Sequence, residues 1–263
     1  MNKFLLIFFF LINFNTYAQA TFTERSETIG KNKIRINSGF QYLHKNELTS
    51  TLLADNQIRY FISDVRYGIS DNVDFILSWR GLMGTKLINN GYHYDWGDLR
   101  IKTKFSFINE NEYFPSLGLL SSIKLPNATY SPSKIGSNET DFELALLFSK
   151  TFNNFIISFN TGAFINGDPN YLAYQYDLYL YGLCITYSTP NVTLFSELYG
   201  TYATQHIMRK SQLKFGLLFS VFNLSPSITF NFRVLGNNKD YAPLFEQSED
   251  FGVTLLISKT IEL

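Results

Sequence analysis

The chain has 263 residues, of which 45% are hydrophobic and 17% aromatic, with 26 Phe and 17 Tyr. Its 22 basic and 22 acidic residues cancel, and no basic run gathers them, which argues against a nucleic-acid partner. The single cysteine, Cys184, cannot form an intramolecular disulfide, and beyond the N-terminus no stretch of about eighteen apolar residues offers a helical membrane span.

The chain opens with Lys3, an apolar run from Phe4 to Ile12, the polar residues Asn13, Asn15 and Thr16, and then Ala18-Gln19-Ala20. This order of a basic residue, a short apolar run and small residues predicts a secretory signal peptide over residues 1–20, cut after Ala18 or Ala20. Residues 21–263 are then expected to form one domain.

From about residue 33 onward, stretches of roughly ten residues carry apolar side chains at every second position, and the connections between them alternate between short and long. The first stretch, near 33 to 44, sets Ile34, Ile36, Phe40 and Tyr42 against Arg35, Asn37, Gly39 and Gln41. The second, near 57 to 69, changes phase between Tyr60 and Val65, which predicts a bulge near Ser63-Asp64. After the Ser70-Asp71-Asn72 turn, Val73, Phe75, Leu77 and Trp79 oppose Asp74, Ser78 and Arg80, and residues 82 to 96 read as a long loop. Leu99, Ile101, Phe105 and Phe107 then alternate with Asp98, Arg100, Lys102, Lys104 and Ser106.

A short turn at Asn109 to Tyr113 leads to Leu117, Leu119, Ile123 and Leu125, opposed by Ser116, Gly118, Ser122 and Lys124. Beyond a long loop, Phe142, Leu144, Leu146 and Phe148 oppose Asp141, Glu143, Ala145 and Ser149, and Asn153-Asn154 turns the chain into Phe155, Ile157, Phe159, Ala163 and Ile165. Tyr179, Tyr181, Leu183, Ile185 and Tyr187 follow, opposed by Gly182, Cys184 and Thr186, before the Thr189-Pro190-Asn191 turn. The stretch Val192 to Thr201 is less regular, because Phe195 and Tyr199 share the phase of Glu197. Leu213, Phe215, Leu217 and Phe219 oppose Gln212, Lys214 and Gly216, and Ile228, Phe230, Phe232 and Val234 oppose Thr229, Asn231 and Arg233. The last stretch sets Phe251, Val253, Leu255, Ile257, Ile261 and Leu263 against Gly252, Thr254, Ser258 and Thr260.

The pattern predicts an all-β fold: a transmembrane, up-and-down, antiparallel β-barrel of about twelve strands, since only a closed sheet satisfies every backbone group inside a bilayer. All seven prolines fall in the expected loops or at strand ends, as a wall without edges requires. Short turns normally face the periplasm, so both termini are expected there. Loops near 45 to 56, 82 to 96, 126 to 139, 167 to 176, 202 to 210 and 236 to 249 are then expected outside, in a bacterial outer membrane. The expected partners are outer-membrane lipid, the barrel-insertion machinery, which reads an apolar C-terminal strand, and a small-molecule solute.

Several segments together resemble the outer-membrane transporter family of the meta-pathway of phenol degradation. They are Val65 to Asn72, Trp96 to Lys102, Lys124-Leu125-Pro126, Ser137 to Phe152 and Glu197 to Gly200, and the resemblance extends over most of the mature chain. Asn127-Ala128 stands where a Thr-Gly pair is common in that family. The resemblance implies a barrel that passes small, hydrophobic or aromatic molecules.

The inward phase gathers Arg35, Arg80, Arg100, Lys102, Lys104, Lys124, Lys214 and Arg233, with Asp74, Asp98, Asp141, Glu143 and Glu197 against them. Such charges need water in the lumen or partners across it. A charge-lined conduit and an ionic plug bracing a narrow barrel fit this pattern equally. An outer-membrane lipid hydrolase would need a serine beside a histidine. His44, His93 and His206 all fall at external strand ends or in loops, in no serine–histidine motif, so no enzyme activity is expected. Three separated histidines and one cysteine lack metal-ligand spacing, and no cofactor or metal is expected. Tyr42, Trp79, Trp96, Tyr174 and Tyr176 near the external ends suit an aromatic interface girdle, and a cradle for an aromatic ligand is the alternative.

Overall fold

The computed structural model describes residues 22–44, 54–87, 91–128, 138–167, 175–202, 210–221, 224–236 and 250–263. The expected leader at 1–20, His206, Tyr174, the Tyr176 side chain and most of the residues expected in the long loops lie outside these.

The described strands are β1 (Lys33–His44), β2 (Ala54–Ser70), β3 (Val73–Trp79), β4 (Leu82–Leu87), β5 (Gly91–Trp96), β6 (Leu99–Ile108) and β7 (Ser116–Lys124). They continue as β8 (Asp141–Phe152), β9 (Phe155–Gly167), β10 (Gln175–Ser188), β11 (Val192–Tyr202), β12 (Lys210–Phe219), β13 (Ser225–Gly236) and β14 (Phe251–Glu262). All pairings are antiparallel, and β1 bonds to both β2 and β14, which closes the sheet. β3 and β4 both pair with β2, while β6 pairs with β3 and β5 with β4. Each of these couples is therefore one barrel strand with a break in it, and the closed wall has 12 strands.

The loop expected at 82 to 96 is thus corrected: β4 and β5 carry the wall further toward the long-loop end. Their period-2 pattern, with Tyr92, Tyr94 and Trp96 exposed, is cut off from β3 and β6 at Arg80-Gly81 and Gly97-Asp98. Gly81 has φ +75°, and a Cβ there would lie 1.9 Å from the Tyr60 carbonyl oxygen, so only glycine fits. Two backbone bonds bridge the breaks, Gly97 N–H to Gly81 O at 2.7 Å and Arg80 N–H to Asp98 O at 3.1 Å.

The bulge in β2 also sits differently from the expectation. Gly39 pairs with Ile62 and Phe40 with Tyr60, leaving Phe61, at φ +58°, as the extra residue. Gln57 and Arg59 face inward before it, and Arg66 and Gly68 after it, while Val65 and Tyr67 face out. Two consecutive apolar residues, Phe61-Ile62, hide the phase change in the sequence.

Burial is inverted relative to a water-soluble protein. Lys104 and Lys124 are 1% exposed and Glu197 is fully buried, whereas Phe75, Leu77, Ile101, Phe105, Leu146, Phe215 and Leu255 stand on the outer surface. Lipid is the solvent that suits this exterior. The irregular strand β11 keeps this logic in part: Phe195 turns inward against Gly216, where a Cβ would come within 2.2 Å of its ring. Cys184 is buried in the inward phase, beside the Thr186 hydroxyl.

Candidate functional site

Among the described residues polar chemistry concentrates in the barrel interior, and residues 22–32 enter it. From the start of β1 at the short-turn end, this segment runs back into the lumen instead of away from it. Asn32 N–H donates to Gly68 O at 2.9 Å, and Ile29 N–H reaches the Asp74 carboxylate at 3.2 Å. A Cβ on Gly68 would fall 1.8 Å from Gly30 O, so the wall is hollowed where the segment lies against it. Ser26 N–H donates to Ser149 Oγ at 3.1 Å, its hydroxyl meets Ser116 Oγ at 2.5 Å, and the Ser116 hydroxyl donates to Glu27 Oε1 at 2.9 Å.

Farther in, Arg66 Nη2 donates to both oxygens of Glu24 at 3.0 Å, and Arg66 also lies 3.8 Å from Asp74. Lys104 stands between them, 3.6 Å from Asp74 and 3.8 Å from Glu24, and donates to the carbonyls of Arg25 and Glu27. At the inner end Phe22 N–H donates to Glu197 at 3.1 Å and Thr23 N–H to the same carboxylate. Phe22 stacks on Tyr199 with centroids 4.4 Å apart, beneath Lys214 Nζ at 4.2 Å, and Lys214 pairs with Glu197 at 3.5 Å. Thr23 lies against Gly182, where a Cβ would come within 2.5 Å of its hydroxyl. Each buried charge in this chain of contacts meets an opposite one, the condition for keeping ions away from water.

Outside the strands, Glu27 has a shifted carboxyl. Burial raises its pKa, but Arg25, at 3.1 Å, its own backbone N–H and the Ser116 hydroxyl overcome this and hold it below the usual value.

Nearer the long-loop end a second cluster joins Lys124 to Asp141 at 2.8 Å and to Asp98 at 3.6 Å, with Arg100 3.9 Å from Asp141. Between the two clusters lies a cavity of about 220 Å³, lined on one side by Phe22, Thr23 and Glu24. Arg80, Arg100, Lys102, Glu143 and Lys214 line it. Arg35 is buried near the short-turn end and donates to Thr260 Oγ1 at 3.2 Å, and Arg233 pairs with Asp250 away from the cavity. Glu24, Arg25, Glu27, Asp64 and Arg66 are absent from the inward charges read from the sequence. Arg66 falls in the inward phase once the bulge is placed at Phe61, whereas residues 22–32 carry no alternation to read.

Among the described residues no three His, Cys, Asp or Glu side chains come together as a metal site. His44 Nδ1 sits 2.6 Å from Asn56 Oδ1, and its ring stacks on Tyr42. Trp79 and Trp96 pack with centroids 5.5 Å apart across the wall break.

A family model described as "Putative MetA-pathway of phenol degradation" matches residues 18–254. No curated protein matches the chain. Among solved structures, an outer membrane channel from Pseudomonas putida F1 aligns with a TM-score of 0.66 at 14% identity, over 90% of this chain and 98% of that one. The NanC porin aligns at 0.48 and 11% identity, over 88% and 99%. Outer membrane phospholipase A from Escherichia coli aligns at 0.47 and 10%, over 86% and 92%. The first of these shares the fold, and the other two superpose too loosely to argue from.

Proposed function

The chain belongs to the family described by the MetA-pathway of phenol degradation, and from that premise we propose that it is an outer-membrane channel for small solutes, narrowed by its own N-terminal segment. Residues 1–20 direct export and are removed, both termini face the periplasm, and the inward charges from Arg35 to Arg233 line or brace the conduit. The observation that carries this reading is the cavity of about 220 Å³ inside the barrel, lined both by Phe22, Thr23 and Glu24 of the N-terminal segment and by ionic side chains of the wall. A fold built only for support has no need of ionic side chains facing an internal void, because each one costs desolvation.

The lipid-hydrolase reading gains nothing from His44, which meets the Asn56 carboxamide and stacks on the Tyr42 ring. We therefore read the chain as non-enzymatic. Planar-bilayer recording tests the channel. The full-length barrel is expected to give small, steady conductance steps, and a variant lacking residues 22–29 steps several-fold larger. A folded deletion variant that conducts no better than the full-length chain would leave the barrel as a plugged, structural protein.

A further inference from the structure

Two ionic side chains at the cavity meet no opposite charge, unlike Lys214 and Arg100 beside them. Lys102 on β6 and Glu143 on β8 both line it, and neither forms an ion pair or hydrogen bond among the described residues. They stand in one row across the wall, since Lys102 pairs with Ser122 and Ser122 with Glu143. That register sets them two strand spacings apart, about 10 Å between Cα atoms. Long side chains could close such a gap, yet no salt bridge joins them. The Ser122 hydroxyl between them is buried without a partner, and on the opposite wall Gln212 Nε2 is likewise unpartnered at the cavity. The neighbouring wall is apolar, formed by Leu120, Phe164 and Leu180.

We propose that this cavity binds a small zwitterion carrying an apolar side chain, its carboxylate at Lys102, its ammonium at Glu143 and its side chain on Leu120, Phe164 and Leu180. A simple anion would meet Lys102 but face the Glu143 carboxylate, and a simple cation would face the Lys102 ammonium. Only a ligand with both charges satisfies the two side chains at once without adding net charge to a buried site. The proposal rests on the channel reading in that it names the solute class, but what it asserts is binding.

Binding is measured on the purified, folded full-length barrel through tryptophan fluorescence, since Trp79 lines the cavity and is one of only 2 tryptophans. The probes are L-phenylalanine, 3-phenylpropionate and phenethylamine, which share a ring and differ in charge. L-phenylalanine is expected to bind about tenfold or more tightly than either analogue, on the order of one matched ion pair at a desolvated site. Lys102→Met should weaken L-phenylalanine and phenylpropionate while leaving or improving phenethylamine, and Glu143→Gln should do the reverse. Opposite responses in two variants cannot come from misfolding. Equal binding of all three probes, or no binding of L-phenylalanine to a preparation that conducts normally in bilayers, would overturn the assignment and leave the channel standing.

Discussion

Glu24 shows how a single residue couples the N-terminal segment to the wall. Its carboxylate takes two hydrogen bonds from Arg66, and both side chains are almost sealed from solvent, 8% and 3% exposed. Removing one member of such a pair leaves the other as a poorly compensated buried ion, at a cost of about 3 kcal/mol. Glu24→Ala is therefore expected to undock the segment and raise bilayer conductance toward that of the variant lacking residues 22–29. Unchanged conductance in Glu24→Ala would mean that Glu197 and Lys104 hold the segment alone. Glu24 also marks where sequence reading stopped. Lys104 and Asp74 declare an inward side because their neighbours Phe105 and Phe75 are apolar, but Glu24 belongs to no alternating run. Its partner Arg66 lies 42 positions away, and the Glu197 partner of Thr23 lies 174 away.

At the scale of elements, most of the wall was legible because each strand meets lipid on one face, so period 2 is written directly into β6, β8 or β14. The exceptions share a cause. Where the wall breaks at Gly81 and Gly97 or bulges at Phe61, the phase resets, and β4 and β5 look like loop although both are paired. Gly81 bears the sharpest constraint there. Gly81→Ala places a methyl group 1.9 Å from Tyr60 O on a backbone at φ +75°, and is expected to lower the temperature at which the barrel loses its compact gel mobility. An unshifted transition would show that the break can relax. Phe195 and Tyr199 deviate for another reason: they face the lumen to pack on Gly216 and Phe22. An aromatic residue in the inward phase reads as noise until the partner that occupies the lumen is known.

For the whole molecule, the docked segment makes the barrel responsive to acid. The Glu27 carboxyl is held below its ordinary value of 4.5. A group lowered in this way contributes its full stabilisation above the ordinary value and loses it as pH falls through the lowered one. Docking is therefore expected to be constant from neutral pH down to the ordinary carboxylate range and to weaken only in stronger acid, seen as a rise in conductance that Glu27→Gln shifts or removes. A conductance change confined to pH 6–8 would assign the response to another group.

The segment that fills the lumen is continuous with β1, and β1 is the strand that meets β14 to close the wall. Its inner contacts are with Glu197 on β11 and Lys214 on β12, on the other side of that seam. The joint between the first and last strands is thus made by the same stretch of chain that carries the filling. A barrel sealed with the segment outside would leave Lys104 and Arg66 to share the Asp74 carboxylate, without Glu24. Seam and filling are in this way one continuous stretch of chain, a mandrel hung from the strand that completes the wall.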